Sequence, residues 1–217
     1  MTGAWPWIAI ALLGAYHGID PSMGWLFAVA LGLQERRRGK VFEALVPIAF
    51  GHLVAIGLAV ALIATAMATG ALILRPIGAV ALIGFGLFRL WRPQAHPRWV
   101  AMRVNARDLA VWSSLMASAH GAGLMLFPIL MDIPPVAVGL PAMSHYVLMC
   151  GPRGHLSLGE AIAVVILHTG AMLIVMGTIA IAVYQWIGLQ ILRSAWINLD
   201  TIWAIALIAA GLMSLIV

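Results

Sequence analysis

Carboxylates are scarce in this sequence: seven Asp and Glu stand against twelve Lys and Arg, with seven His beside them. Charged residues make up only 9% of the chain, too few for the surface of a soluble domain, where about a quarter of residues carry charge. Cysteine occurs once, at Cys150, which excludes an intrachain disulfide framework. No H-E-x-x-H, no G-x-S-x-G and no phosphate-binding glycine loop is present. An ATP-driven pump carried by this chain alone is therefore excluded. No charged stretch precedes Trp5-Pro6-Trp7, so the start reads as an interfacial anchor and not as a signal peptide.

What the chain has is apolar length. Hydrophobic residues are 64% of its 217 positions, and the mean hydropathy is +1.06. A membrane-crossing helix needs about 20 mostly apolar residues. Six segments qualify, over 5–32, 41–68, 70–91, 108–131, 158–186 and 195–217. The expected fold is an all-α integral membrane protein with six transmembrane helices in one polytopic domain, 1–217. The basic pI near 10.4 implies no nucleic-acid partner, because the cations lie in the loops. Arg36, Arg37, Arg38, Lys40, Arg89, Arg92, Arg98, Arg103, Arg107 and Arg193 fall on one side, and Arg75 and Arg153 on the other. The positive-inside rule then puts the basic loops in the cytoplasm and both termini outside. A bacterial inner membrane suits that arrangement, and the bilayer is the first partner; a homo-oligomer is compatible with it.

Histidine recurs in a pattern. The first and fourth segments carry His17-Gly18 and His120-Gly121; the second and fifth carry Gly51-His52 and His168-Thr169-Gly170. Halves of three helices each, 1–91 and 108–217, would have opposite topologies, the inverted-repeat plan of many transporters. At about 1.5 Å per residue, each of these histidines lies roughly 15–18 Å from one end of its segment. In a core of about 30 Å all four are near mid-membrane. Four imidazoles at one level on four helices can converge, and imidazole is a ligand for zinc, copper, nickel and cobalt.

Asp20 is the one acid in the middle of an apolar span; Asp132, Glu160 and Asp200 sit near ends. It is expected to be a metal ligand, a proton carrier or the partner that fixes the His17 tautomer. Pro21 removes the hydrogen bond to the carbonyl of His17 and should break the first helix. Met23 lies three residues beyond Asp20, a neighbour if the turn is helical. Met116, Met172 and Met176 stand at four-residue spacing from His120 and His168, where packing is the simpler role for an adaptable side chain. For the histidines the plain alternative to ligation is hydrogen bonding between helices. Pro128 should loosen the carbonyl of Leu124, and Gly121 and Gly123 should allow close helix approach. The long apolar loop 132–157 reads as an outer lid. Met143, His145, Met149, Cys150 and His155 within it could pre-capture a soft ion, although a lid that packs without ligands is simpler. His96 reads as a solvated loop residue.

The run His17-Gly18-Ile19-Asp20-Pro21-Ser22-Met23 resembles the signature of the nickel/cobalt transporter superfamily (NicO-type, LysE-like). There a helix-embedded His is followed three residues later by Asp or Glu and six later by a second His, as in H-A-x-D-A-D-H or H-A-L-E-P-G-H. His17, Asp20 and Pro21 match, and Phe50-Gly51-His52 looks like the family's later glycine–histidine motif. The resemblance covers the first two helices and implies a polytopic helical fold with nickel or cobalt as substrate. Met23 stands where the family has its second histidine and Ser22 where one branch has a second Asp, which suggests a softer ion such as copper.

The sequence thus points to a transporter that carries a transition-metal ion through a midplane site of His17, Asp20, His52, His120 and His168, with Met23 as a soft ligand. Two rivals stand beside it. One is an intramembrane metalloenzyme whose His/Asp centre activates water or oxygen; the other is a non-catalytic subunit whose histidines bridge helices.

Overall fold

One proline and two glycines mark where the apolar runs break. In the computed structural model, which describes residues 4–68, 74–91, 104–131, 133, 156–187 and 199–216, every regular element is helical. Helix α1 (Trp5–Ile19) stops where Asp20 turns extended, at ψ 119°, ahead of Pro21. A single 3-10 turn, Pro21–Met23, follows, and Gly24 at φ 118° redirects the chain into α2 (Trp25–Glu35). The expected break at Pro21 is present. The remaining helices are α3 (Arg38–Ala68), α4 (Leu74–Trp91), α5 (Ala106–Ala119), α6 (Ala122–Met131), α7 (Leu158–Ala182) and α8 (Leu199–Ile216). A π turn, Val183–Ile187, extends α7. Asn105 with Asp108 and Ser157 with Glu160 form capping boxes that start α5 and α7. Glu160 is thereby explained as a cap.

The second break is at His120-Gly121, where Gly121 takes φ 67° and α5 and α6 meet at a bend of 53°. Pro128, expected to loosen the carbonyl of Leu124, lies inside α6. Asp132, the loop 134–155 with Met143, His145, Met149, Cys150, Arg153 and His155, and also His96, Arg92, Arg98, Arg103 and Arg193 lie outside the described residues.

Two described helices, Arg38–Met67 and Leu158–Trp186, are each long and apolar enough to cross a membrane, and the bent pair α5–α6 is a third if it forms one span. The expectation of six spans is met to that extent. Breaking the first run leaves helices of 15 and 11 residues, about 22 and 16 Å long, short of a core of about 30 Å. On α3 the residues Phe42, Val46, Phe50, Val54, Leu58 and Leu62 form an outward stripe, 37–70% exposed. An apolar stripe at strict four-residue spacing on the outside is the reverse of a soluble helix and has the character of a lipid-facing surface.

Inside, glycine sets the helix approaches. Gly14 and Gly18 of α1 lie against the α7 backbone at His168 and Met172, Gly51 of α3 against Ala110 of α5, and Gly86 of α4 against Ala204 of α8. Such small-residue contacts are how helices approach closely in lipid. The main core joins Met23, Val29, Ile48, Met116, Met172 and Met176 from α2, α3, α5, α7 and the 3-10 turn. At Gly24 the backbone lies where a side chain is strained, and a Cβ there would come within 3.1 Å of Ile48. Gly24→Ala should cost about 1–3 kcal/mol, read as a lowered thermal midpoint of the detergent-purified protein; an unchanged midpoint would contradict this geometry.

Candidate metal centre

Because Gly14 has no side chain, α1 can lie directly on the α7 backbone at His168. His17 is one turn further along the same face of α1, so the contact delivers its ring to that of His168, with ring centres 5.0 Å apart. His52 enters from α3, 5.7 Å from His17 and 5.4 Å from His168. All three side chains are fully buried. Three of the four predicted mid-helix histidines therefore form one cluster, drawn from α1, α3 and α7.

His17 donates from Nδ1 to the carbonyl of Leu13, at 2.8 Å. This fixes the tautomer of the neutral ring and makes Nε2 its basic nitrogen. Neither ring nitrogen of His168 has a hydrogen-bond partner among the described residues. His52 has no hydrogen-bond partner for either ring nitrogen among the described residues. A buried polar group left so costs about 1–3 kcal/mol.

The spacing of the three rings fits a shared ion. With metal–nitrogen bonds of about 2.0–2.1 Å and tetrahedral angles, ring centres fall about 5 Å apart. Their present orientation does not complete such a site. The rings of His52 and His168 lie within 8° of parallel, and no three His, Cys, Asp or Glu among the described residues form a ready-made metal-binding group.

Asp20 and His120 form a second cluster, where the two helix breaks face each other. Asp20 Oδ1 accepts from the backbone N–H of Ser22 at 2.8 Å and from its hydroxyl at 2.7 Å. His120 donates from Nδ1 to the Met116 carbonyl at 2.8 Å. Its Nε2 faces Ser22 Oγ at 3.3 Å and Asp20 Oδ2 at 3.6 Å. The break is held by two indoles: Trp25 donates to the Ile19 carbonyl at 3.2 Å and Trp112 to the Ser22 carbonyl at 2.9 Å. Met23 is in neither cluster. With residue 20 extended, the two side chains are not helical neighbours, and Met23 packs fully buried among Met116, Met172 and Met176.

Sequence reasoning missed Ser22 and Trp112. An Asp followed two residues later by Ser is a recognisable local capping pattern, so Ser22 could have been found; nothing in the sequence announces the reach of Trp112 across ninety residues.

An all-helical chain with an outward apolar surface and a buried three-histidine cluster beside interrupted helices defines a membrane-type protein with a polar centre. Compared with family models, curated proteins and solved structures, the chain matches none.

Proposed function

We propose that this protein is a secondary transporter of the bacterial inner membrane that carries a transition-metal ion through the His17–His52–His168 centre. The convergence of three buried imidazoles from three helices, at the ring spacing that one ion requires, carries this reading. Neutral imidazole suits nickel, cobalt, zinc and copper alike, so the centre is general for borderline ions. A site that must re-aim its rings binds more weakly than a preformed one, which favours a carrier over an enzyme with a resident metal. The bridging-subunit rival expects His52 to hydrogen-bond another helix, and His52 makes no such bond among the described residues.

The contacts support the repeat expected for residues 1–91 and 108–217. Exchange of the two halves turns the α1–α7 contact into α5–α3 and leaves α4–α8 as its own mate, and these are the dominant pairings. Each half also begins with a His-Gly helix that is interrupted, as transporter repeats built around midplane sites are. The basic segment Arg36–Lys40 is assigned to the cytoplasm with both termini outside. There Lys40 meets Glu35 and Glu43 at 3.1 and 3.4 Å.

Elemental analysis of the purified chain, washed with chelator and reloaded with Ni²⁺, Co²⁺, Zn²⁺ or Cu⁺, tests the reading. About one exchangeable ion per chain is expected in the wild type and none in His52→Ala. Equal metal in both would remove the centre from consideration.

A further inference from the structure

A hydroxyl inside a helix commonly turns back onto its own backbone, and exposed ones here do so. Thr65 donates to the Leu62 carbonyl, Ser118 to the Ser114 carbonyl and Thr178 to the Ile174 carbonyl, at 2.9, 2.9 and 2.7 Å. Ser113 on α5 and Thr169 on α7 behave differently. Both side chains are buried, and neither hydroxyl has a hydrogen-bond partner among the described residues. A buried hydroxyl left unmet works against folding, and a hydrogen-bonding guest offsets that loss.

Both hydroxyls belong to the level of His52. Ala110 of α5 lies on Gly51, and Ala117 joins Ile56 and Val60 of α3 in one apolar cluster. Ser113 stands between Ala110 and Ala117 at helical-neighbour spacing, so it falls beside the stretch of α3 that holds His52. Helix α7 runs the opposite way along α3: Gly177 meets Leu45, and nine residues earlier the ring of His168 stacks on that of His52. Thr169 lies four residues before Leu173 and eight before Gly177, which border one groove with Leu45. It therefore shares the α3 side of α7, level with His52.

Three imidazole nitrogens fill three places around an ion, and water takes the fourth in open sites of this kind. Water on a dication has two hydrogens to donate, and a serine or threonine oxygen accepts. The thioether of Met23 lies in the apolar core, away from the rings. The further polar atoms at the level of His52 are oxygens, which suit a harder ion than a thioether does. We propose that the centre takes a divalent ion with one bound water, and that Ser113 and Thr169 hold that water. The two hydroxyls then favour Co²⁺, Ni²⁺ and Zn²⁺ over Cu⁺, a soft ion that the rings satisfy without water.

This proposal rests on the transport centre of His17, His52 and His168, and one experiment separates the two. The full-length protein in detergent is dialysed to equilibrium against Co²⁺ and, under reductant, against Cu⁺. Wild type is compared with Ser113→Ala, Thr169→Val, Thr169→Ser and His52→Ala, and melting midpoints are taken without ion. Ser113→Ala and Thr169→Val should each weaken Co²⁺ binding by about ten-fold or more, the span for groups that support a metal site. Cu⁺ binding should stay within about two-fold, and Thr169→Ser should keep wild-type Co²⁺ affinity. Ion-free midpoints should not fall, because each variant removes a hydroxyl that has no partner. Unchanged Co²⁺ affinity in either variant overturns the proposal. Equal loss of Co²⁺ and Cu⁺ also overturns it: with steady midpoints the hydroxyls serve the rings, and with lowered midpoints they serve packing. A wild type that binds no metal, or Co²⁺ binding that survives His52→Ala, overturns the centre itself, and the water site falls with it.

Discussion

Gly51→Ala is expected to destabilise this protein strongly, because among the described helical glycines its Cβ position lies closest to a neighbouring backbone. The new Cβ would be driven onto the backbone of Ala110, meeting its carbonyl oxygen, with the carbonyl carbon at 2.8 Å and the Cα at 3.0 Å. A side chain can turn away from an intruding methyl; a helix backbone cannot, so α3 and α5 must part along their length. Overpacking a core costs about 1–3 kcal/mol where neighbours can adjust, and this site belongs at or above the top of that range. On the scaling of domains of this size, about 3 kcal/mol lowers the melting midpoint by roughly 6–12 °C. Gly57→Ala provides the comparison on the same helix. Nothing lies within 4 Å of its Cβ position, and alanine's better helix propensity should leave stability unchanged or raise it by up to about 1 kcal/mol. Thermal unfolding of both variants in detergent decides the matter. Equal midpoints would mean that α3 and α5 do not touch at Gly51. His52 is the next residue, so Gly51→Ala should also pull its ring out of the cluster and reduce metal binding.

His168→Ala should lower metal affinity by more than about 100-fold, whereas Met23→Leu should leave it within about two-fold. Loss of a group that merely supports a ligand already costs 10–100-fold, and a three-nitrogen centre that loses one nitrogen has little left to distinguish an ion from its hydrated form. Met23 stands where the resembling superfamily has a ligand, yet its thioether packs into the apolar core with Met116, Met172 and Met176. Leucine has a similar volume, and such exchanges cost under about 1.5 kcal/mol in stability. Equilibrium dialysis against Co²⁺ and against Cu⁺ tests both substitutions. A selective loss of Cu⁺ in Met23→Leu would return Met23 to the ligand set and restore the soft-ion preference that its position suggested.

The first helix break was readable because Pro21, which lacks an N–H, stands between Asp20 and Gly24, and these supply the turn chemistry around it. The second break was not readable from its residues. His-Gly occurs at 17–18 and again at 120–121; Gly18 stays helical because α7 lies against it at Met172 and Met176, while Gly121 adopts φ 67°. The difference is the neighbour, which a linear sequence does not display. Counting along each segment, where rise per residue is nearly constant, indicated that His17, His52 and His168 could meet, and their rings do. It could not fix the direction in which each ring points. His120 caps α5 at the bend and faces Ser22 and Asp20. Pro47 and Pro128 sit inside α3 and α6, so proline alone does not forecast a break; it does so when a glycine and a capping acid stand beside it.

The two indoles at the first break tie together parts that would otherwise move independently. Carbonyls released within a bilayer are commonly served by water, but the one at Ser22 is served by Trp112, a residue of α5. Straightening the first interrupted helix would strip that carbonyl of its donor unless α5 travelled with it. The two broken helices are therefore tied to each other at this carbonyl, while α1 stays packed on α7 and α5 on α3. His17 comes from one of these tied helices and its two partner rings from the unbroken α3 and α7, so a change at the first break reaches the three-ring cluster through His17.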